Sequence, residues 1–167
     1  MLAFDVKMTE VMSYPYSKRP QIYKDRIKYL IYEYYNIQIG YSKKDEECFT
    51  IPKNHKDYGK KIAAYYYWLF PNLMLNFYPW GISINLVCPE EISKTKILFR
   101  SYVFDKSKLN LGASGDLDKV EMEDEEIVQS VQKGINSSFY STGRFSPTKE
   151  KGVHHFHSLV SKFFNDK

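Results

Sequence analysis

The sequence predicts a single α+β domain in which an antiparallel sheet comes first and helices come last. Between residues 37 and 104, several short runs separated by turn signals are either alternating or continuously apolar, which is typical of strands. After residue 120 the apolar residues follow a helical period instead. Aromatic residues make up 17% of the 167 residues, which favours strands and a ligand cavity lined by aromatic side chains.

The first elements are predicted from turn chemistry and alternation. Residues 1–20 end in a segment rich in Pro, Ser and Tyr, which indicates irregular structure. Alternation over 37–41 predicts a strand. The charged run 43–46 predicts a turn, and 48–51 predicts a second short strand after it.

Four further strands are predicted between residues 60 and 105. An apolar and aromatic run over 63–70 predicts the first, and 73–78 predicts the second. Alternation over 82–87 predicts the third, and the fourth follows over 96–104. Short strands separated by turns indicate an antiparallel sheet, whose apolar face must be covered by another layer.

Two helices are predicted to provide this cover. A loop with Gly and Asp residues over 109–118 precedes a helix from about Val120. The apolar stripe of this helix consists of Ile127, Val128, Val131 and Ile135, with Phe139 one turn on. A closing helix of about four turns is predicted from Glu150. Its apolar face consists of Val153, Phe156, Val160 and Phe163.

Asp124 is the candidate functional residue of the first helix. It precedes Val128 by four residues and Val131 by seven, which places it on the apolar stripe. A buried carboxylate must be paired, protonated or bound to a metal, because burying an unpaired charge is very costly. Gln132 shares this face and is a candidate hydrogen-bond partner. Alternatively, Asp124 and its acidic neighbours complement the positive end of the helix dipole.

Composition and charge exclude several classes of protein. The net charge is +4, and the densest basic run, over 53–61, contains Asp57, so we interpret it as a solvated face and not a nucleic-acid surface. No uncharged apolar run of about 18 residues and no secretory signal peptide is evident. Cys48 and Cys88 match no metal spacing or disulfide framework. We therefore expect a cytoplasmic protein without a nucleic-acid or membrane partner.

Three segments follow one another in an order that is specific to one family. They are Ile62 to Asn85, Leu117 to Gly134, and Gly143 to Pro147 followed by Gly152 to His157. Together they resemble the catalytic domain of Rieske non-haem iron ring-hydroxylating oxygenase α subunits, in the branch with choline monooxygenase-like and phenylpropionate dioxygenase-like members. We therefore divide the chain into a poorly matching segment, 1–28, and the C-terminal part of a catalytic domain, 29–167.

The resemblance implies a helix-grip fold of the START/SRPBCC-like class. It also implies a mononuclear Fe(II) centre held by two histidines and one aspartate, and the aspartate position falls on Asp124. Such enzymes activate O2 to hydroxylate or demethylate a small organic substrate, often in aromatic compound catabolism. A reductase supplies the electrons through a Rieske [2Fe–2S] cluster. A homotrimer, or docking on a complete α subunit, is the assembly that the resemblance implies.

Two parts of the family pattern are missing from this sequence. Nothing supplies the cysteine and histidine ligands of a [2Fe–2S] cluster. The two iron-binding histidines would fall between positions 10 and 18, yet the first histidine of the chain is His55. We therefore expect that Fe(II) is not retained and that the chain is incomplete as an enzyme by itself. The alternative is a non-catalytic helix-grip module that binds a small apolar or aromatic ligand.

The remaining candidates are aromatic residues and histidines. His154, His155 and His157 cluster near the C-terminus, and on a helix His154 and His157 would be one turn apart and could share a metal with a nearby carboxylate. The family that the chain resembles has this cluster in its closing helix without using it for iron, so we expect packing and hydrogen-bonding roles. His55 reads as a surface loop residue. A quaternary ammonium compound would suit an aromatic pocket through cation–π contacts, and a hydrophobic acid would suit the same rings. The candidate pocket consists of Tyr65, Tyr67, Phe77, Trp80 and Gln132, although each aromatic residue could equally be sheet core.

Overall fold

One sheet and two helices make up the computed structural model, which describes residues 2–4, 27–42, 46–109, 111 and 117–165. The fold is α+β, as predicted. The strands are β1 (Leu2–Phe4), β2 (Ile27–Ile31), β3 (Tyr35–Tyr41), β4 (Ile62–Leu69), β5 (Leu73–Tyr78), β6 (Gly81–Glu91) and β7 (Lys94–Val103). The helices are α1 (Leu117–Ile135) and α2 (Lys151–Asn165), and a 3-10 turn spans Lys106–Lys108. Neither helix is long and apolar enough to cross a membrane.

The sheet is an antiparallel meander. Strands β2 to β7 lie side by side in chain order, and β1 pairs with the outer edge of β7. The five predicted strands around Ile37, Ala64, Leu75, Ile84 and Phe99 are confirmed as β3 to β7. The strand β2 was not predicted. It pairs with β3 in full register, from Ile27 opposite Gly40 to Ile31 opposite Asn36.

The prediction of a strand at 48–51 is wrong. This stretch has no strand, and Phe49 makes a single backbone bond, from its N–H to the carbonyl oxygen of Ile62, 2.8 Å away. The physical reason is that β4 already lies between β3 and β5, so 48–51 can reach only its first residues. Three of the four residues of the predicted turn at 43–46 lie outside the described residues, and so do most of the irregular segment 1–20 and of the loop 109–118.

Both helices pack on the same face of the sheet. The ring of Phe156 in α2 packs on Trp68, and Val128 in α1 packs on Phe99. Trp68 and Phe99 share a face because directly opposed residues of an antiparallel sheet point to the same side. The cross-strand row that links them consists of Asn36, Trp68, Met74, Asn85 and Phe99. We call this side the helix face.

The predicted helical stripes are confirmed in their middle and wrong at their ends. Val128 and Phe156 are buried as predicted, but Phe139 is 96% exposed. The helix α1 ends at Ile135, and Asn, Ser and Ser follow, which are weaker helix formers than Ala or Leu. On α2, Phe163 is more than half exposed although it stacks on Phe70, with ring centroids 4.9 Å apart.

The opposite side of the sheet is covered by chain without regular structure. Ile37, Ile39 and Ile62 are buried there, and Tyr65 and Tyr67 pack against them. Residues 46–60, which we call the covering loop, add Phe49 and Ile51 to this cluster. We call this side the loop face. The sheet therefore has two covered faces, one beneath the helices and one beneath the covering loop.

Candidate functional site

The helix face is more polar than the sequence predicted. The expectation that the helices cover the apolar side of the 82–87 strand is wrong, since Ser83 and Asn85 lie on the helix face. Ser83 is fully buried, and its hydroxyl donates to Oδ1 of Asn85 at 3.1 Å. Because buried polar groups need partners, this satisfied pair is stable beneath the helices. The polar row beside Trp68 consists of Gln38, Tyr66, Asn76, Ser83 and Ser101.

Tyr66 and Tyr78 form an aromatic pair at one end of the helix face. Their rings meet edge to face with centroids 5.9 Å apart, and Tyr78 stacks on Trp80 with centroids 5.4 Å apart. Trp80 and Tyr78 are both buried. Burial raises the pKa of Tyr78 above its usual range, and the Tyr66 hydroxyl and the charges of Glu121 and Asp124 add to this effect. Tyr78 is therefore a neutral phenol at physiological pH.

Asp124 lies near this pair but is not buried. The helical period placed it on the stripe of Val128, and we expected it to point into the interior, but its side chain is exposed. The helical period gives the direction of the Asp124 side chain around the helix axis. Burial also requires that another element packs against that turn of α1. Water can solvate the exposed carboxylate, so its charge does not require a buried partner. Its charge nonetheless contributes to the raised pKa of Tyr78, at the end of the helix face that holds the tyrosines.

Two buried amides lie on the helix side of the sheet. Gln132 is 6% exposed, two turns after Asp124, which confirms that it faces the sheet. Asn36 is also buried, and its Nδ2 has no hydrogen-bond partner among the described residues. A Cβ atom built on Gly152 would come within 3.2 Å of Oδ1 of Asn36, so the first turn of α2 lies directly on this amide.

The structure divides the predicted pocket between the two faces. Trp80 packs with Tyr66 and Tyr78, and Gln132 lies on the sheet-facing side of α1, so both belong to the helix face. Tyr65, Tyr67 and Phe77 belong to the loop face, because Tyr65 lies opposite Phe77 in the register. The prediction that these five residues line one pocket is therefore wrong. The reason is that consecutive residues of a strand point to opposite faces.

The histidines of α2 are engaged in other contacts. The rings of His154 and His157 pack on Phe145, with centroids 5.5 and 5.0 Å apart, respectively. Nε2 of His155 lies 3.3 Å from the carbonyl oxygen of Glu33. These contacts are the packing and hydrogen-bonding roles predicted for the cluster. Among the described residues, no three His, Cys, Asp or Glu side chains come together as a metal site.

Sequence reasoning missed Asp57. The lysines around it are exposed, as predicted for a solvated face, but Asp57 itself is 4% exposed. Its carboxylate accepts hydrogen bonds from Nζ of Lys60 at 2.5 Å and from the hydroxyl of Tyr65 at 3.1 Å. The spacing of Asp57 and Lys60, three residues apart, was visible in the sequence. Their position beneath a strand was not.

Comparison with known families gives one match over most of the chain. Residues 40–165 match the family described as ring hydroxylating alpha subunit (catalytic domain). Chloroplastic choline monooxygenase of Arabidopsis thaliana is 34% identical over 152 residues, which cover 84% of this chain and 35% of that protein. The carnitine monooxygenase oxygenase subunit of Escherichia coli K12 is 27% identical over 154 residues, covering 85% and 40%.

A solved structure gives the same result for the fold. The apo form of a quaternary ammonium Rieske monooxygenase superposes with a TM-score of 0.63 at 15% identity, covering 97% of this chain and 45% of that one. The L-carnitine complex of that enzyme gives a TM-score of 0.56 at 19% identity, covering 83% and 37%. This chain thus spans less than half the length of each of these relatives.

Proposed function

The chain belongs to the ring-hydroxylating oxygenase α-subunit catalytic-domain family, and we propose that it is the C-terminal part of such a domain within a larger oxygenase. In this proposal residues 29–167 form a helix-grip domain, with α1 and α2 held against a curved sheet. The complete enzyme would activate O2 to hydroxylate or demethylate a small organic substrate. This chain would contribute the substrate-facing wall and would not turn over by itself.

The observation that carries this proposal is that the charge of Asp124 acts on Tyr78, at one end of the helix face. The resemblance assigns an iron ligand to Asp124, and its charge acts on a neutral phenol at the end of the helix face. Tyr78 hydrogen-bonds with Tyr66, and Tyr66 is only half-buried, so the Tyr66 hydroxyl is the one that can reach an oxygen atom of a substrate. The packing of Tyr66 and Trp80 around Tyr78 keeps the Tyr78 ring buried.

The described residues do not fit a complete iron site. The family holds iron with two histidines and a carboxylate, whereas no cluster of three such ligands occurs among the described residues. We therefore propose that Fe(II) and the [2Fe–2S] cluster belong to the complete oxygenase and are not held by this chain. The electron-donating reductase and a homotrimeric assembly are parts of the same proposal.

A quaternary ammonium compound is the substrate class that we propose for the helix face. The relatives named above are choline and carnitine monooxygenases. On this chain Tyr66, Tyr78 and Trp80 form one aromatic cluster, and the charges of Glu121 and Asp124 act on its Tyr78. Aromatic faces attract a quaternary ammonium group, and nearby negative charge strengthens this attraction.

Calorimetric titration with choline and with carnitine tests this proposal. We expect weak binding, which Asp124→Asn weakens several-fold because a negative charge near the cation is lost. Glu123→Gln is the matched control, since it removes an exposed carboxylate from the same helix. Equal affinities in both variants, or the absence of binding at millimolar ligand, would argue against a quaternary ammonium site on the helix face.

The genomic reading frame upstream of this sequence tests the proposed larger oxygenase. We expect it to encode the ligands of a Rieske cluster and the two iron-binding histidines, because residues 1–28 match the family poorly and do not supply them. A frame that encodes neither would favour the second candidate, a non-catalytic module that binds a small apolar or aromatic ligand. One observation favours this candidate, namely that the part of the chain that the structure describes holds no metal-binding cluster. Docking on a complete α subunit would then be measured by sedimentation of the mixture.

A further inference from the structure

A cavity of about 370 Å³ lies on the loop face, between the sheet and the covering loop. Its floor is formed by Ile37 and Ile39 of β3 and by Tyr67 of β4, and its wall by Phe49 and Ile51 of the covering loop. Ligand cavities in proteins are typically of roughly 300–1,000 Å³. The volume therefore suits a small molecule with one or two rings. None of the roles proposed for the helix face uses this cavity.

Four aromatic rings surround the apolar part of the cavity. Phe49 and Tyr65 are tilted towards each other with centroids 5.5 Å apart. Tyr67 and Phe77 meet edge to face with centroids 5.5 Å apart. All four residues line the cavity. Rings in such pairs present both faces and edges, which favours a flat aromatic ligand packed between them.

Asp57 closes the polar end of the cavity, but its charge is already compensated. One carboxylate oxygen binds Nζ of Lys60 at 2.5 Å, and the other accepts the hydroxyl of Tyr65 at 3.1 Å. The backbone N–H of Asp57 donates to Nδ1 of His55 at 3.2 Å, so the neutral imidazole carries its proton on Nε2. These bonds fix Asp57, Tyr65 and His55 relative to one another.

Lys56 gives the cavity an uncompensated positive charge. It lines the cavity and is exposed at its rim, and it forms no ion pair with any described residue. Asp57 and Lys60 neutralise each other, so the charge that remains at this end is that of Lys56. A cation entering the cavity would be repelled by Lys56, whereas an anion would be attracted. The positive charge of Lys56 therefore favours an anionic aromatic ligand over a cationic one.

We propose that this cavity binds a small aromatic carboxylate. Its ring lies between Phe49, Tyr65, Tyr67 and Phe77, and its carboxylate faces Lys56 and the Nε2–H of His55. The preference is opposite to that of the helix face, where Glu121 and Asp124 supply negative charge. The two sides of one sheet therefore take ligands of opposite charge.

Titration of the 167-residue chain with benzoate, and in parallel with benzyltrimethylammonium, tests this assignment. Each probe carries one phenyl ring, and the two probes differ in the sign of their charge. Isotope-filtered NMR should show contacts between the benzoate ring protons and the rings of Tyr67 and Phe77. Lys56→Gln should weaken benzoate binding by about tenfold, because a charge-assisted contact is lost. Lys53→Gln is the matched control, since Lys53 is exposed on the same loop and does not line the cavity.

The shape of the cavity is tested separately from its charge. Phe49→Ala removes one wall from the covering loop and should weaken benzoate binding, and Phe49→Leu should restore part of it if the first variant remains folded. The assignment is overturned if benzoate does not bind at millimolar concentration. It is also overturned if Lys56→Gln binds benzoate as wild type does, or if ring contacts to Tyr67 and Phe77 arise with benzyltrimethylammonium and not with benzoate.

Discussion

The indole of Trp68 and the phenyl ring of Phe156 meet edge to face, with centroids 4.8 Å apart and planes at 88°. Trp68 lies in the middle of the sheet, on β4, and Phe156 lies in α2. Both are buried, and their cluster also includes Leu159, Met74, Phe70 and Val160. Edge-to-face rings add to the stabilisation that burial provides. This contact therefore attaches α2 to the sheet.

Phe156→Ala should lower the free energy of unfolding by about 3–5 kcal/mol, because it removes a buried ring and leaves a cavity beside Trp68. Urea unfolding followed by tryptophan fluorescence measures this change. Phe164→Ala is the control on the same helix, since Phe164 is 74% exposed, and it should change stability by less than about 0.5 kcal/mol. Similar losses in the two variants would show that α2 is not attached through Phe156.

Gly81→Ala should destabilise the fold by about 1–3 kcal/mol. Gly81 has a φ of 156°, and a Cβ atom there would collide with the carbonyl oxygen of Tyr102 in the neighbouring strand. Gly134→Ala is the contrasting variant, because Gly134 lies in α1 and a Cβ atom added there would meet no atom of a neighbouring element within 4 Å. It should stabilise the fold by about 0.5–1 kcal/mol. Thermal unfolding of both variants gives the sign of each change in stability. Changes of the same sign in the two variants would contradict the prediction.

The sequence predicted the strands and helices better than their faces. Alternation over 82–87 indicated β6, and the helical stripe indicated α1, because hydrophobic period reports local structure directly. Alternation does not say which side of the sheet a helix will cover, so Tyr65 and Tyr66 could not be assigned to a face. Likewise, the helical period gave the direction of Asp124 but not the extent of the sheet beneath it. These properties depend on contacts between distant segments.

Tyr78→Phe should reduce the loss of stability in alkali. Burial raises the pKa of Tyr78 in the folded chain above the ordinary value of 10.0. A raised pKa means that the stabilisation is fully present below pH 10 and is lost as pH rises through the folded pKa, because only the unfolded chain ionises at first. Urea unfolding at several pH values above about 9 measures how steeply the free energy of unfolding falls with pH. Tyr58→Phe serves as the exposed-phenol control, and a wild-type slope in Tyr78→Phe would contradict the prediction.

Asp57→Asn should flatten the acid limb of the stability profile. The hydrogen bond from Lys60, and then that from Tyr65, holds the pKa of Asp57 below the ordinary value of 3.8 despite its burial. A lowered pKa gives stability that is present above about pH 4 and is lost as pH falls through the folded pKa. Lys60→Met removes the largest cause and should move the acid midpoint of unfolding upwards. An unchanged midpoint in Lys60→Met would show that this ion pair does not act on Asp57.

Anaerobic titration with Fe(II) should reveal no site of micromolar affinity or better. One carboxylate at Asp124 cannot replace the two imidazoles that the facial triad supplies. A variant in which His154, His155 and His157 are all replaced by alanine should give the same titration curve as wild type. Tight binding that Asp124→Ala abolishes would show that other residues rebuild the triad. Tight binding that the triple variant abolishes would show that the metal site lies in α2.

Tyr65, Tyr66 and Tyr67 are consecutive in β4, yet the first and third ring belong to the loop face and the second to the helix face. One short tripeptide thus supplies side chains to both ligand environments, with only the thickness of a backbone between them. A one-residue insertion in β4 would reverse this arrangement at every position beyond it. The rings of Tyr65 and Tyr67 would then lie on the helix face with the carboxylates of α1, and the ring of Tyr66 would lie on the loop face with Lys56.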